Sequence, residues 1–186
     1  SGKYVKDFSQ RFSEFIGSRY GAAASSGTAA LHTALLAAGI KEGDKVATTP
    51  FTFIASSNSI LYTGAEPVFV DINPETYNID ADKLELKLQS DPEISALLIV
   101  HLYGLSCDMD QIMKLVEKYD LTLIEDCAQS HGAEYKGKSV GTFGDASIFS
   151  FYTTKNMTTG EGGIVLTDSE KIYNKAASII NHGQKE

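Results

Sequence analysis

Residues 94–126 read ISALLIVHLYGLSCDMDQIMKLVEKYDLTLIED. The run 94–100 is apolar almost throughout, which predicts a strand buried on both faces. Asp108 stands as an N-cap, and a helix is expected to run from it to Tyr119. A second apolar strand, 121–124, follows and ends in Glu125 and Asp126. Apolar strands separated by a helix are the signature of a mostly parallel sheet with helices on both faces.

The pattern extends in both directions from this unit. Residues 4–19 predict an amphipathic helix with Val5, Phe8, Phe12, Phe15 and Ile16 on one face. A short small-residue strand is expected at 21–24, and Ser25-Ser26-Gly27 opens a helix over 28–38 that Gly39 closes. Strands are expected at 45–48 and 67–72, with a helix between them that starts at Pro50 and Thr52 and runs to about residue 62, where Gly64 stops it. Asn73-Pro74 is a turn, and Asp80 caps a helix to about residue 89. Beyond the central unit come strands at 146–151 and 163–166, then a helix from the Ser169 cap to about residue 180. The predicted class is α/β, a three-layer αβα domain over residues 1–186, without repeats, low-complexity segments or linkers. The ending His182-Gly183-Gln184-Lys185-Glu186, directly after a helix, reads as a cut, or a loss of order, rather than a designed C-terminus.

Composition narrows the function. The chain has 186 residues, a net charge of −8 and no basic run, which argues against nucleic acid and anionic membrane surfaces as partners. No run of about 18 apolar residues is present, so no transmembrane helix is expected. Two cysteines, Cys107 and Cys127, make no disulfide framework and fit a reducing, cytoplasmic setting.

Ligands of open α/β sheets bind beyond the carboxyl ends of the strands, so the polar residues there are the ones to collect. Ser25-Ser26-Gly27-Thr28-Ala29 is a glycine-and-hydroxyl turn entering a helix, suited to a phosphate or to plain N-capping. It lacks the P-loop lysine and the dinucleotide glycine spacing. Asp126 closes an apolar strand and needs a partner, either a protonated heterocyclic nitrogen or a local cap or salt bridge. Phe53 offers a ring for stacking, or core packing like Phe51 and Ile54. Gln129 and His131 follow Asp126 on the same loop, and Ser150, five residues before Lys155, is a second phosphate ligand or a strand serine bonded to backbone. Lys155 sits in the turn Tyr152-Thr153-Thr154-Lys155-Asn156-Met157-Thr158-Thr159-Gly160 between two apolar strands. A lysine desolvated there deprotonates more readily, as an amine forming a Schiff base must. Cys107, Asp108, Cys127 and His131 lack zinc-site spacing, so no metal is expected. Phosphate turn, aromatic, strand-end acid, serine and lysine, in that order, make up the parts of a pyridoxal phosphate site.

The same residues carry a resemblance. Ser26-Gly27-Thr28-Ala29-Ala30-Leu31, Pro50-Phe51-Thr52-Phe53, His101-Leu102-Tyr103-Gly104, Glu125-Asp126-Cys127-Ala128-Gln129-Ser130-His131-Gly132, Ser150-Phe151-Tyr152, Lys155-Asn156 and Gly160-Glu161-Gly162-Gly163 resemble the DegT/DnrJ/EryC1/StrS sugar aminotransferases. The resemblance implies the large domain of the type I, aspartate-aminotransferase-like fold, with pyridoxal 5'-phosphate as cofactor. It implies that Lys155 carries the internal aldimine and moves protons, Asp126 pairs with the pyridinium nitrogen and Phe53 stacks on the ring. Thr28, Ala29 and Ser150 would hold the phosphate, and Gln129 would contact the ring-oxygen side.

The implied reaction moves an amino group from glutamate or glutamine to a keto group of a nucleotide-linked sugar or cyclitol. A branch of the family that dehydrates instead has histidine at the lysine position, and Lys155 argues against it. Members are about twice this long and form homodimers with shared active sites. The N-terminal segment, the small C-terminal domain and an asparagine given by the partner would lie outside residues 1–186. The rival readings are a non-catalytic regulatory or binding protein on this scaffold, an inactive fragment, and a nucleotide-binding α/β domain.

Overall fold

Within each central strand, alternate side chains enter opposite layers, and this division builds the molecule. The computed structural model describes residues 2–184; Ser1, Lys185 and Glu186 of the expected 1–186 domain lie outside the described residues. The helices are α1 (Lys3–Ile16), α2 (Gly27–Ala38), α3 (Ala55–Tyr62), α4 (Ala81–Ser90), α5 (Met109–Tyr119) and α6 (Glu170–Ile180). The strands are β1 (Tyr20–Ala24), β2 (Lys45–Thr48), β3 (Glu66–Phe69), β4 (Ile94–Val100), β5 (Thr122–Asp126), β6 (Glu134–Tyr135), β7 (Lys138–Ser139), β8 (Ala146–Ser150) and β9 (Gly163–Thr167).

From β4, Ala96, Leu98 and Val100 join a core with residues of α2, α3 and α6. Leu97 and Ile99 join a second core with Leu84 and Leu88 of α4 and Met109, Ile112 and Leu115 of α5. On β8, Ile148 belongs to the first core, while Phe149 packs with Phe12 and Ile16 of α1. The result is the expected αβα sandwich.

The main sheet has seven strands in the order β1-β9-β8-β5-β4-β2-β3. The pairs β2–β3, β2–β4, β4–β5 and β5–β8 are parallel, and β9 runs antiparallel to both β8 and β1. The capping residues act as read. Asp80 accepts from the N–H groups of Asp82 and Lys83, Asp108 from Gln111 and Ser169 from Ile172. No helix among the described residues is long and apolar enough to cross a membrane.

Several local expectations need correction. The helix expected from Pro50 begins only at Ala55, and residues 51–54 form an irregular approach to it. Phe51 and Ile54 are exposed rather than core, because that approach lies at the open end of the sheet. Val5 and Phe15 of α1 are also exposed: the wide apolar face turns only Phe12 and Ile16 fully inward, with Phe8 half-buried. The third strand ends at Phe69, and Ile72 makes only an isolated bridge to Ile79. The hairpin β6–β7, turning at Lys136-Gly137, has strands too short to show periodicity.

One packing constraint ties the fold to its open end. A Cβ on Gly163 would lie 2.3 Å from the Ser26 carbonyl oxygen and 2.9 Å from the Gly27 nitrogen. Gly163→Ala is therefore expected to destabilise the protein by about 1–3 kcal/mol, as overpacking does. Urea unfolding checks this, and an unchanged midpoint would mean that the turn yields freely.

Candidate functional site

Register brings the candidate residues together. Ala24 at the end of β1 and Ser150 at the end of β8 both pair with Gly163, the first residue of β9. The turn after β1 and the end of β8 therefore meet. A Cβ on Gly27 would lie 2.7 Å from Cβ of Ser150, so only glycine lets the turn approach this closely. Ser26 caps α2, its Oγ accepting from the Ala29 N–H at 3.1 Å. The first intrahelical bond is Ala30 N–H to the Ser26 carbonyl, which leaves Gly27 and Thr28 ahead of the helical ladder. The helix dipole adds positive potential at this point.

Asp126 and Glu125 end β5, and both are buried. Their surroundings differ. Glu125 accepts from the N–H groups of Gly141, Phe143 and Gly144, each at 2.8 Å, and its Oε2 lies 3.0 Å from His101 Nε2. Burial alone would raise its pKa, but the His101 contact and the backbone donors hold it below the usual carboxylate range. Desolvation opposes a charge on His101, while Cys127 and Glu125 favour one. The Cys107 N–H decides between them: it donates to His101 Nδ1 at 3.1 Å, so the ring is the neutral tautomer with its proton on Nε2. Cys127, whose thiol burial pushes up to about 12, completes a cluster of ligand-type atoms within 4.8 Å of one another. Because Glu125 and both His101 nitrogens already have partners, this cluster is a structural network.

Asp126 is less well satisfied. Its Oδ2 accepts from Ser56 Oγ at 2.8 Å and its Oδ1 from the Ala128 N–H at 3.1 Å. No cation among the described residues hydrogen-bonds to it. Burial pushes its pKa up; Ser56, the Ala128 N–H and the Lys155 charge counter this only in part. A buried carboxylate with free acceptor sites and a raised pKa is a candidate ligand position for a cationic group.

Lys155 follows β8 in a turn that closes on itself. Thr158 Oγ1 and the Thr159 N–H both donate to the Phe151 carbonyl, and Thr159 Oγ1 donates to the Glu161 carbonyl. These bonds explain the hydroxyl-rich composition. The flanking strands are buried, but the turn is exposed and Lys155 itself is half-buried, so the strands do not enclose it as expected. Its charge acts on Asp126 and on His131, which puts all three in one neighbourhood. The His131 ring packs edge-on against Phe149 and Phe151, with centroids 5.3 Å away in each case. Burial holds His131 below its ordinary pKa.

Phe53 is 67% exposed and so free to meet a ligand face, unlike a core residue. Gln129 Oε1 accepts from the Tyr103 N–H at 2.8 Å. Tyr103 adopts φ 54°, a left-handed conformation uncommon for a bulky residue, and is 75% exposed. Sequence reasoning missed Ser56, which only the fold brings to Asp126, read Thr52 as a helix start and not as the partner of Ser56, and missed the close approach of Gly163. A concavity of about 1000 Å³ between α1, β1 and α6 is lined by none of the candidate residues.

The profile of the DegT/DnrJ/EryC1/StrS aminotransferase family matches residues 1–186. The chain belongs to this family. It is 46% identical over 182 residues to the GDP-perosamine synthase of Escherichia coli O157:H7, covering 98% of this chain and 50% of that one. An aminotransferase structure from Psychrobacter cryohalolentis superposes with a TM-score of 0.95 at 43% identity, covering 99% of this chain and 46% of the other. The structure of ntda from Bacillus subtilis with bound cofactor PMP superposes with a TM-score of 0.88 at 37% identity, covering 96% and 40%. The fold is thus that of the family's aminotransferases. The chain spans about half the length of the curated relatives it matches.

For this family member the Glu125 network gives a test of stability. The folded pKa of Glu125 lies below 4.5, so its contribution is full above that pH and is lost as pH falls through the folded value. Glu125→Gln places an amide N–H against backbone donors or His101 and is expected to cost roughly 3 kcal/mol at pH 7. The difference from wild type should narrow below pH 4.5 in denaturant unfolding. A constant difference at all pH values would show that ionised Glu125 is not the source.

Proposed function

We propose that this chain is the cofactor-binding large domain of a pyridoxal-phosphate-dependent aminotransferase. It would transfer an amino group from glutamate or glutamine to a keto group of a nucleotide-linked sugar or cyclitol. The observation that carries this reading is Asp126, buried and only partly satisfied, within the electrostatic reach of Lys155 at one edge of the sheet. A protonated pyridine nitrogen supplies the cation this carboxylate lacks. The close contact of Gly27 with Ser150, at the N-terminus of α2, fits the phosphate.

When bound, pyridoxal phosphate supplies an aldehyde that takes up an amine and a ring that withdraws electrons from it. Lys155 would offer its amine to that aldehyde and hold or move the proton at the substrate carbon. Asp126 would keep a proton on the ring nitrogen. Thr28, Ala29 and Ser150 would bind the phosphate, with the Ala29 N–H shared with the Ser26 cap. Phe53 would cover a ring face and Gln129 would orient the ring-oxygen side.

The sugar substrate is supported by the name of the perosamine relative, and the cofactor by the PMP-bound structure. A homodimer with shared active sites is supported by the exposed apolar side chains of Phe53, Ile54, Leu61, Tyr62 and Tyr103, which a second copy would cover. Free, buried Cys107 and Cys127 fit a cytoplasmic setting.

Lys155→Ala is expected to abolish the borohydride-reducible adduct with pyridoxal phosphate while leaving the circular dichroism unchanged. Peptide mapping of wild type should find the label on Lys155, and a label elsewhere would refute the role. For Asp126→Asn, transamination half-reactions should slow by orders of magnitude, roughly 10²-fold or more, as when a preorganised electrostatic partner is lost. The same change should stabilise the unliganded protein. Asp126 has a folded pKa above 3.8, so its contribution is present below that pH and is lost as pH rises through the folded value. Asparagine removes the buried charge at pH 7, for a gain of about 1 kcal/mol in denaturant unfolding. A loss of stability would contradict this account of Asp126.

A further inference from the structure

Asp126 is reached by a chain of hydroxyl groups from the segment that carries Phe53. Ser56, 1% exposed in the first turn of α3, donates to Asp126 Oδ2 at 2.8 Å. Thr52 Oγ1 lies 2.9 Å from Ser56 Oγ. The direction of the chain follows from chemistry. An ionised carboxylate accepts only, so the Ser56 proton points to Asp126 and Thr52 must donate to Ser56. Each bond polarises the next, and a charge-assisted bond in a dry site is a strong one.

We propose that Ser56, oriented by Thr52, is the positioning residue that keeps Asp126 anionic and aimed into the site, and so governs how firmly a bound heterocycle keeps its ring proton. This rests on the pyridoxal phosphate reading for the ligand and deepens it. Ser56 bonds one carboxylate oxygen and the Ala128 N–H the other, so the plane of the group is fixed while each oxygen keeps acceptor capacity.

The other charged or titratable groups facing Asp126 do less. Lys155, on the turn after β8, has no hydrogen bond to it. His101, at the end of β4, is held by Glu125 and Cys107. Cys127, next in the chain, keeps its proton because burial pushes the thiol to about 12. Among the groups that oppose the effect of burial on Asp126, the Ser56 hydrogen bond ranks first. Phe53, between Thr52 and Ser56 in sequence, makes one short segment responsible both for a ring face and for the partner of the ring nitrogen.

The test compares wild type, Ser56→Ala and Thr52→Val. The midpoint of the Asp126 side-chain carboxyl is followed by carbon NMR in the unliganded protein. Binding of pyridoxal phosphate labelled with nitrogen-15 in the ring is then titrated, and the ring-nitrogen shift reports its protonation. Ser56→Ala should move the Asp126 midpoint to higher pH, weaken binding roughly 10-fold and shift the ring nitrogen towards its neutral value. Thr52→Val, at a half-buried position, should move all of these in the same direction by a smaller amount. An Asp126 midpoint unchanged in Ser56→Ala overturns the proposal whatever the cofactor does. Should Ser56→Ala fail to fold, an unchanged midpoint in Thr52→Val overturns it instead. Wild type that binds no pyridoxal phosphate refutes the function proposed above, and the carboxyl titration still decides the role of Ser56.

Discussion

The end of β5 carries two adjacent buried carboxylates, and the molecule treats them in opposite ways. Strand geometry sends neighbouring side chains to opposite sides, so Glu125 and Asp126 cannot share partners. Glu125 meets His101 and the N–H groups of residues 141–144, which saturate it. That bonding fastens the loop before β8 to the end of β5, and through β8 it sets where Ser150 and Lys155 lie. Asp126 receives two hydrogen bonds in a site equally remote from water. One charge is satisfied and supports the fold. The other is left short of partners, and a ligand can complete it.

The layers of the fold were legible because the information is local. Apolar runs, caps such as Asp80 and Asp108, and glycine stops each act within a few residues. Legibility failed where burial depends on what a segment faces. Phe51 and Ile54 have the composition of a core helix, yet they stand exposed at the carboxyl edge of the sheet. Phe15 shows the complementary limit, since a helix period identifies a face but not how much of it the sheet will cover.

The candidate site divides in the same way. Asp126 and Lys155 could be singled out from the residues because each places an ionisable group beside apolar strands. The residues alone left the role of each open between chemistry and structure, the family resemblance implied the chemical one, and nothing in the chain alone separates Asp126 from Glu125. The distinction appears only when hydrogen bonds are counted. Ser56 left no signal: serines at 56, 57 and 59 look alike in sequence, and only one turn of α3 facing the end of β5 singles one out. Gly163 is similar, since its need for glycine comes from the carbonyl of Ser26 far away in the chain.

The unsatisfied features gather at one edge. An under-bonded Asp126, a half-buried Lys155, the exposed rings of Phe53 and Tyr103, and the left-handed backbone of Tyr103 all lie where strands end or on the loops that follow. Each would cost free energy in a surface selected for stability alone. A fold that satisfies Glu125 with four partners has the means to satisfy Asp126 too. That it supplies two, one of them a hydroxyl whose proton can only point at the carboxylate, means that the remaining acceptor capacity is held in a fixed direction. On the function proposed above, a cationic ring would meet that capacity already aimed, and the stability of the empty site would be lower for it.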